Sequence, residues 1–309
     1  MSASMRAAVI DEFGPPEVLV VRGMGRPAVA AGDVLVRVIA AGVQLTDAAI
    51  RSGWTPPGAQ IEFPQVLGNE FAGIVEEVGA DVDGFEVGDE VAGFNTLGCY
   101  AEYVAVPESH VVAKPPGVPW EVAGTLSASG QTAHTAFEDL KIAAGDVVLV
   151  CGAAGGVGTI FTQLAVRAGA TVIGTASASN HDYVRSLGAT AVSYGAGQAD
   201  RIRAESRHLD VVFDAAGHEN LRAVVDLANN LDRVATIVDM ALAAELGCRI
   251  VRSRRTSARL AGLMGRVDTG ELVVHVRRTY PLGEVADAHR EVETGHGRGK
   301  VVLRIGEAR

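Results

Sequence analysis

An alanine and three closely spaced glycines set the first chemical limit on this chain: the apolar run Val147-Val148-Leu149-Val150-Cys151 leads straight into Gly152-Ala153-Ala154-Gly155-Gly156-Val157-Gly158. A strand ending in Ala153-x-Gly155-x-x-Gly158 presents backbone rather than side chains. The helix that follows aims unpaired amide hydrogens and the positive end of its dipole at whatever binds there. The pyrophosphate of a dinucleotide suits that geometry, so Ala153, Gly155, Gly156, Val157 and Gly158 are its candidate contacts. A turn built only for packing can carry the same glycines, so the surrounding pattern has to decide.

The second limit is a missing acid. Where the next strand ends, a site for NAD offers Asp or Glu to the adenosine ribose, but the chain reads Thr175-Ala176-Ser177-Ala178-Ser179-Asn180-His181 before Asp182. Without that carboxylate nothing repels a 2′-phosphate, and Ser177, Ser179 and Asn180 can donate hydrogen bonds to one. The expected cofactor is therefore NADPH, with Thr175 at the strand end. The competing reading is a polar turn in which Asn180 and Asp182 cap the next helix.

These residues need a scaffold. After Gly156 the apolar positions Val157, Ile160, Phe161, Leu164, Ala165 and Ala168 share one helical face, and Gly169 closes the helix. A second strand follows over Thr171-Val172-Ile173-Gly174-Thr175. Further strands are expected at Ala191 to Ser193, Asp210 to Asp214, Val234 to Val238 and Arg249 to Val251, separated by helical patterns. Six strands joined by right-handed crossovers make a doubly wound parallel sheet with ligand at the strands' carboxyl ends. That topology puts Ala216, Gly217 and Val238 on the cofactor cleft, while Asp214 can serve simply as a helix cap.

Residues before this unit have another texture. Short strands broken by Gly and Pro, such as Asp33 to Val38, Phe71 to Val78 and Tyr100 to Val106, read as a β-rich domain, with Pro115-Pro116-Gly117-Val118-Pro119 as a junction and a helical segment from Glu121 to Leu140. The chain has 309 residues, 48% of them hydrophobic and 21% charged, enough for two domains with real cores. A net charge of −10 argues against nucleic acid or anionic membrane as partners. Met1 to Met5 has no leader pattern and no apolar run approaches a bilayer span, so a cytoplasmic protein is expected. Cys99, Cys151 and Cys248 are too few and too scattered for a disulfide framework. Arg249, Arg252, Arg254, Arg255 and Arg259 crowd together; they read as a solvated edge and helix start, or as a grip for a carrier's phosphate.

The chain resembles the medium-chain dehydrogenase/reductase superfamily, in its zinc-independent quinone oxidoreductase-like branch. The resemblance runs nearly end to end. It is carried by Ala41-Gly42-Val43-Gln44-Leu45-Thr46-Asp47 with Ile50-Arg51-Ser52-Gly53, by Leu67-Gly68-Asn69-Glu70-Phe71-Ala72-Gly73, by Gly88-Asp89-Glu90-Val91, by the glycine turn, and by Gly295-His296 through Gly299-Lys300-Val301-Val302-Leu303. It implies a Rossmann domain (123–260) inserted in a GroES-like catalytic domain (1–122 and 261–309), and a homodimer. Zinc relatives carry Cys where this chain has Gln44 and His where it has Asn69, and Ser127-Ala128-Ser129 holds no Cys; no metal is expected.

With no Lewis acid, the accessible chemistry is hydride delivery to an electrophile already activated by conjugation, a quinone or an α,β-unsaturated carbonyl. Gln44 and Asn69 are the candidate donors to the acceptor's oxygen. Thr132 matches a family position beside the nicotinamide or diphosphate, and Tyr194 one near the adenine ribose. Branch members often have Asn where this chain has Gln44, and Tyr or Lys where it has Ala49, which removes an obvious proton donor. Trp54 can form a wall for a flat substrate or cover the core. Two other readings stay open: a nucleotide-binding redox sensor or assembly protein with little turnover, and an ene or enoyl reductase of a polyketide-type pathway.

Overall fold

The computed structural model describes residues 4–217 and 220–307. Met1 to Ala3, part of the stretch read for a leader, lie outside the described residues. Two sheets dominate. Six parallel strands lie in the spatial order Thr190–Ser193, Thr171–Ala176, Val147–Cys151, Val211–Asp214, Val234–Thr236, Arg249–Ile250. In chain order this is 3-2-1-4-5-6, the Rossmann arrangement with its switch point beside the first strand. Val148 through Cys151 are fully buried, as expected of a strand covered by helices on both faces.

The other large sheet is the GroES-like β domain, seven strands centred on Asp33–Val43, which pairs antiparallel with Glu70–Val78, Tyr103–Pro107 and Lys300–Arg304. Val276–Pro281 joins its edge, parallel to Lys300–Arg304. The chain thus leaves this sheet, builds the nucleotide sheet, and returns.

Three expected elements are shorter than the apolar pattern suggests. The fifth nucleotide strand stops at Thr236 because the Thr236 hydroxyl bonds Asp214 Oδ2 at 2.7 Å and accepts from Val238 N, turning the chain out of the ladder. The stretch Glu121 to Leu140 divides into Trp120–Ala123 and Leu126–Asp139: Gly124 lies against the Ala40 carbonyl with no room for a Cβ. Residues Tyr100 to Glu102 precede the strand Tyr103–Pro107, since Tyr100 is turned fully inward. Among the described residues no helix is long and apolar enough to cross a membrane.

Candidate active site

The glycine turn is built on hydrogen bonds from behind. Gly152, in the left-handed region at φ +79, donates to Thr175 Oγ1 at 3.2 Å, and Ala153 N donates to Thr175 O. Thr175 and Ala153 are buried, so they shape the bed of the turn. Gly158 has no space for a side chain, because a Cβ there would overlap the Gly152 carbonyl. Gly155 is different: at φ −72 a Cβ would meet the protein only at ordinary contact, 3.4 Å from Gly152 O. Packing therefore requires glycine at 158 but not at 155, where the open space suits a phosphate approaching the backbone.

The ends of the fourth and fifth strands close on this turn. The Ala216 Cβ lies 3.1 Å from where one on Gly152 would stand, and the Val238 side chain lies against Gly217. Asp214, fully buried, accepts from Ala216 N and Gly217 N as well as from Thr236. It fixes the strand-end loop. Gly156 and Val157 open the fingerprint helix Gly156–Arg167, and Thr132 stands half-buried on the helix Leu126–Asp139, its hydroxyl bonded to Ala128 O at 2.6 Å.

At the end of the second strand the Ser177 and Ser179 hydroxyls are 3.1 Å apart, and Asn180 Nδ2 donates to Ser177 Oγ. Asn180 occupies the N-cap position of the helix His181–Ser186 with Asp182 in its first turn, but neither Ser177 nor Asn180 makes a side-chain capping bond. The first acid in the chain after this strand, Asp182, is 98% exposed and paired with Arg185. Tyr194 stands just beyond the third strand, 44% exposed. A cation that the local sequence lacks arrives from far along the chain: Arg298 Nε donates to Asn180 Oδ1 at 3.3 Å.

Between the two sheets lies a buried polar cluster. Lys300, at the start of the returning strand, donates to Gln44 Oε1 (2.7 Å), Ser129 Oγ (2.9 Å) and Glu70 Oε1 (3.3 Å). Gln44 Nε2 donates to Glu70 Oε1, and Ala128 N to Glu70 Oε2. Gly42 carries no side chain because the Glu70 carboxylate occupies that space. Burial pulls the Lys300 pKa down, and Glu70 opposes that shift. Beside this group, Asp47 accepts from Asn69 Nδ2 (2.8 Å), Tyr100 OH (2.7 Å) and Gln44 N (2.9 Å). Burial nevertheless raises the Asp47 pKa to about 6. The two expected donors are thus placed differently: Gln44 is half-buried at the cluster's edge, while Asn69 is 7% exposed with its amide engaged by Asp47. Sequence reasoning missed Glu70, Ser129 and Lys300 as partners of Gln44.

A zinc ion does not fit this donor set. Around Gln44 and Asn69 stand amides, hydroxyls and two carboxylates, Glu70 already paired with an ammonium and Asp47 already holding three donors, with neither thiolate nor imidazole among their hydrogen-bond partners. Among the described residues no group of three or more His, Cys, Asp or Glu could hold a metal. A nicotinamide dinucleotide does fit, on the open Gly155 face and the strand ends around it.

The structure also places two further stretches singled out in the sequence. The arginine cluster is mixed: Arg249, Arg252 and Arg254 are exposed, as a solvated edge and helix start require, with Arg254 paired to Asp139, whereas Arg259 pairs with Glu138 and Arg255 reaches inward to the carbonyls of Asn69 and Asn95. The guanidinium groups of Arg254, Arg255 and Arg259 clamp the helix Leu126–Asp139 and the loop at Asn69. Trp54 is 45% exposed, so it does not cover the core.

Residues 30–116 match the family described as alcohol dehydrogenase GroES-like domain, and residues 187–303 that described as zinc-binding dehydrogenase. The chain is 30% identical to the quinone oxidoreductase of Mus musculus, covering 97% of each protein. It is 31% identical to a chloroplastic NADPH-dependent alkenal/one oxidoreductase of Arabidopsis thaliana, over 97% of this chain and 79% of that one. The solved quinone oxidoreductase of Coxiella burnetii superposes with a TM-score of 0.90 at 30% identity, over 98% of this chain and 100% of the other.

Proposed function

We propose that this chain, which belongs to the quinone oxidoreductase-like branch of the medium-chain dehydrogenase/reductase superfamily, is an NADPH-dependent reductase of quinones or α,β-unsaturated carbonyls that works without zinc. The observation that carries this reading is the Lys300–Gln44–Glu70–Ser129 cluster at the junction of the two sheets. It puts a fixed ammonium and an oriented amide where zinc relatives keep a metal.

The bound cofactor supplies hydride from the C4 position of its nicotinamide. The chain's own contribution is to orient and to stabilise. Lys300 holds Gln44 by its carbonyl and Glu70 takes one Nε2 hydrogen, so the amide plane is fixed. Among the described residues no acceptor takes the second Nε2 hydrogen, which is the donor offered to an acceptor oxygen as enolate charge develops. Asn69 acts through Asp47, holding the carboxylate that receives Gln44 N. With Ala49 exposed on the helix Leu45–Arg51 and offering no exchangeable proton, the final proton comes from water. NADPH is favoured by Ser177, Ser179 and Asn180 and by the outward-turned Asp182. The same reading takes the protein as a cytoplasmic homodimer, in keeping with three unpaired cysteines, two of them buried.

The test is turnover of NADPH with a panel of quinones and enones, before and after exhaustive chelation. Loss of nicotinamide absorbance with at least one acceptor, unchanged by chelation, is expected. Tight NADPH binding without turnover across the panel overturns the enzyme in favour of a sensor, and activity that tracks added zinc overturns the metal-free chemistry.

A further inference from the structure

We infer that Arg298, supplied by the returning catalytic domain, is the residue that reads the 2′-phosphate of the cofactor and sets its preference for NADPH. The inference rests on the nicotinamide-dinucleotide reading above and assigns a specificity residue within it.

The placement is fixed by backbone. Gly299 N donates to Ala154 O at 2.9 Å, and Gly155 and Gly299 form a parallel bridge, so the loop before the last strand is stitched to the phosphate turn. On its other side Gly299 lies against the His275 backbone with no space for a Cβ, at φ +64. Arg298 therefore starts next to the pyrophosphate bed and extends along it to the end of the second strand. Its Nε bonds Asn180 Oδ1, and its guanidinium lies 4.7 Å from the centre of the Tyr183 ring. Tyr183 is held in turn by Thr159 of the fingerprint helix, with the hydroxyls 3.2 Å apart. In a Rossmann sheet the adenosine ribose lies between these points, the glycine turn and the end of the second strand, and an arginine there accommodates a 2′-phosphate.

Charge bookkeeping points the same way. Neighbouring cations are occupied: Arg185 pairs with Asp182, Arg277 with Glu291, and Arg201 donates to the carbonyls of Ser193, Tyr194, Gly195 and Ala196. Among the described residues no carboxylate lies within ion-pairing distance of Arg298. A half-buried guanidinium stacked on an aromatic ring, beside two hydroxyls and an amide, is suited to a phosphate dianion. Its contact with Asn180, rather than with the turn at Gly155, favours the 2′-phosphate over the bridging diphosphate.

The experiment measures affinity rather than activity. Calorimetric titration of NADPH, NADH, 2′,5′-ADP and 5′-AMP is run on wild type, Arg298→Gln and Arg298→Lys, with the ligand-free melting temperature as a folding control. Losing a charge-assisted contact of this kind weakens binding by about 10- to 100-fold. That loss is expected for NADPH and 2′,5′-ADP in Arg298→Gln, with NADH and 5′-AMP changed less than about threefold, partial retention in Arg298→Lys, and an unchanged melting temperature. Added salt should shrink the NADPH preference more in wild type than in Arg298→Gln. An NADPH-to-NADH preference unaltered by Arg298→Gln, or equal loss for both dinucleotides, overturns the assignment. A wild type that binds neither dinucleotide overturns the cofactor reading itself, which is a separable result.

Discussion

Removing Lys300 should be far more damaging than removing Lys300 and the Glu70 charge together. The Lys300 side chain is 3% exposed and Glu70 is fully buried, their charged atoms 3.3 Å apart. Lys300→Met keeps the length of the side chain but strands a buried carboxylate. Breaking a buried pair from one side costs about 3–5 kcal/mol. Glu70 retains donors in Ala128 N and Gln44 Nε2, so the expected loss is at the low end, about 3 kcal/mol. Glu70→Gln should cost a comparable amount, because Lys300 keeps Gln44 Oε1 and Ser129 Oγ but loses the one counter-charge within bonding distance among the described residues. The double variant removes both charges and should lie within about 1–2 kcal/mol of wild type, since replacing a whole buried pair is often near neutral. Chemical denaturation of the four proteins in a double-mutant cycle measures this, with a coupling of at least about 2 kcal/mol expected. The double variant should also retain NADPH affinity while losing turnover, because the fixed charge that orients Gln44 is gone. Additive losses, or a Lys300→Met penalty below about 1 kcal/mol, refute the account of the cluster.

Two further outcomes follow from the site. Gly155→Val should leave folding within about 1 kcal/mol of wild type yet abolish dinucleotide binding, whereas Gly158→Ala should destabilise the protein by about 1–3 kcal/mol through overlap with the Gly152 carbonyl; equilibrium denaturation and calorimetry separate the two, and retained affinity in Gly155→Val contradicts the phosphate bed. Asp47 titrates with a raised folded pKa of about 6 against an ordinary value of 3.8, so the folded state holds its proton more tightly. The corresponding stability is fully present below the ordinary value and is lost as pH rises through about 6. The stability difference between wild type and Asp47→Asn, measured by urea denaturation from pH 4 to pH 7, should therefore shift against wild type by on the order of 1–3 kcal/mol, and a flat difference argues that the three donors to Asp47 outweigh its burial.

Local features of the sequence carried the scaffold. Apolar runs such as Val147 to Cys151 and the helical spacing from Val157 to Ala168 are short-range signals, and the strand order follows from crossover handedness once the six runs are found. Strand ends were less legible, because the fifth strand ends where the Thr236 hydroxyl bonds Asp214, a partner 22 residues away. The site's charges were least legible. Lys300 and Glu70 are 230 residues apart, and Arg298 and Asn180 are 118 apart. The available signal was the oddity of each charge where it stands: a lysine opening the apolar run Val301-Val302-Leu303, and a glutamate beginning the strand Glu70–Val78. Such charges stay buried only when paired.

The insertion of one domain into the other explains why those distant partners meet. The chain enters the last strand of the β-rich sheet through Gly299, and three consecutive residues serve three parts of the cleft. Arg298 reaches the end of the second strand, Gly299 is bonded to the glycine turn, and Lys300 enters the cluster at Gln44. Because Gly299 is held on one side by Ala154 O and hemmed in on the other by the His275 backbone, its two neighbours cannot move independently of the phosphate bed. The residues proposed to recognise the adenosine end of the cofactor and those proposed to orient the acceptor are thereby tied to one backbone segment. On that proposal, a displacement of the segment should change cofactor discrimination and acceptor geometry together, a coupling that neither domain could produce alone.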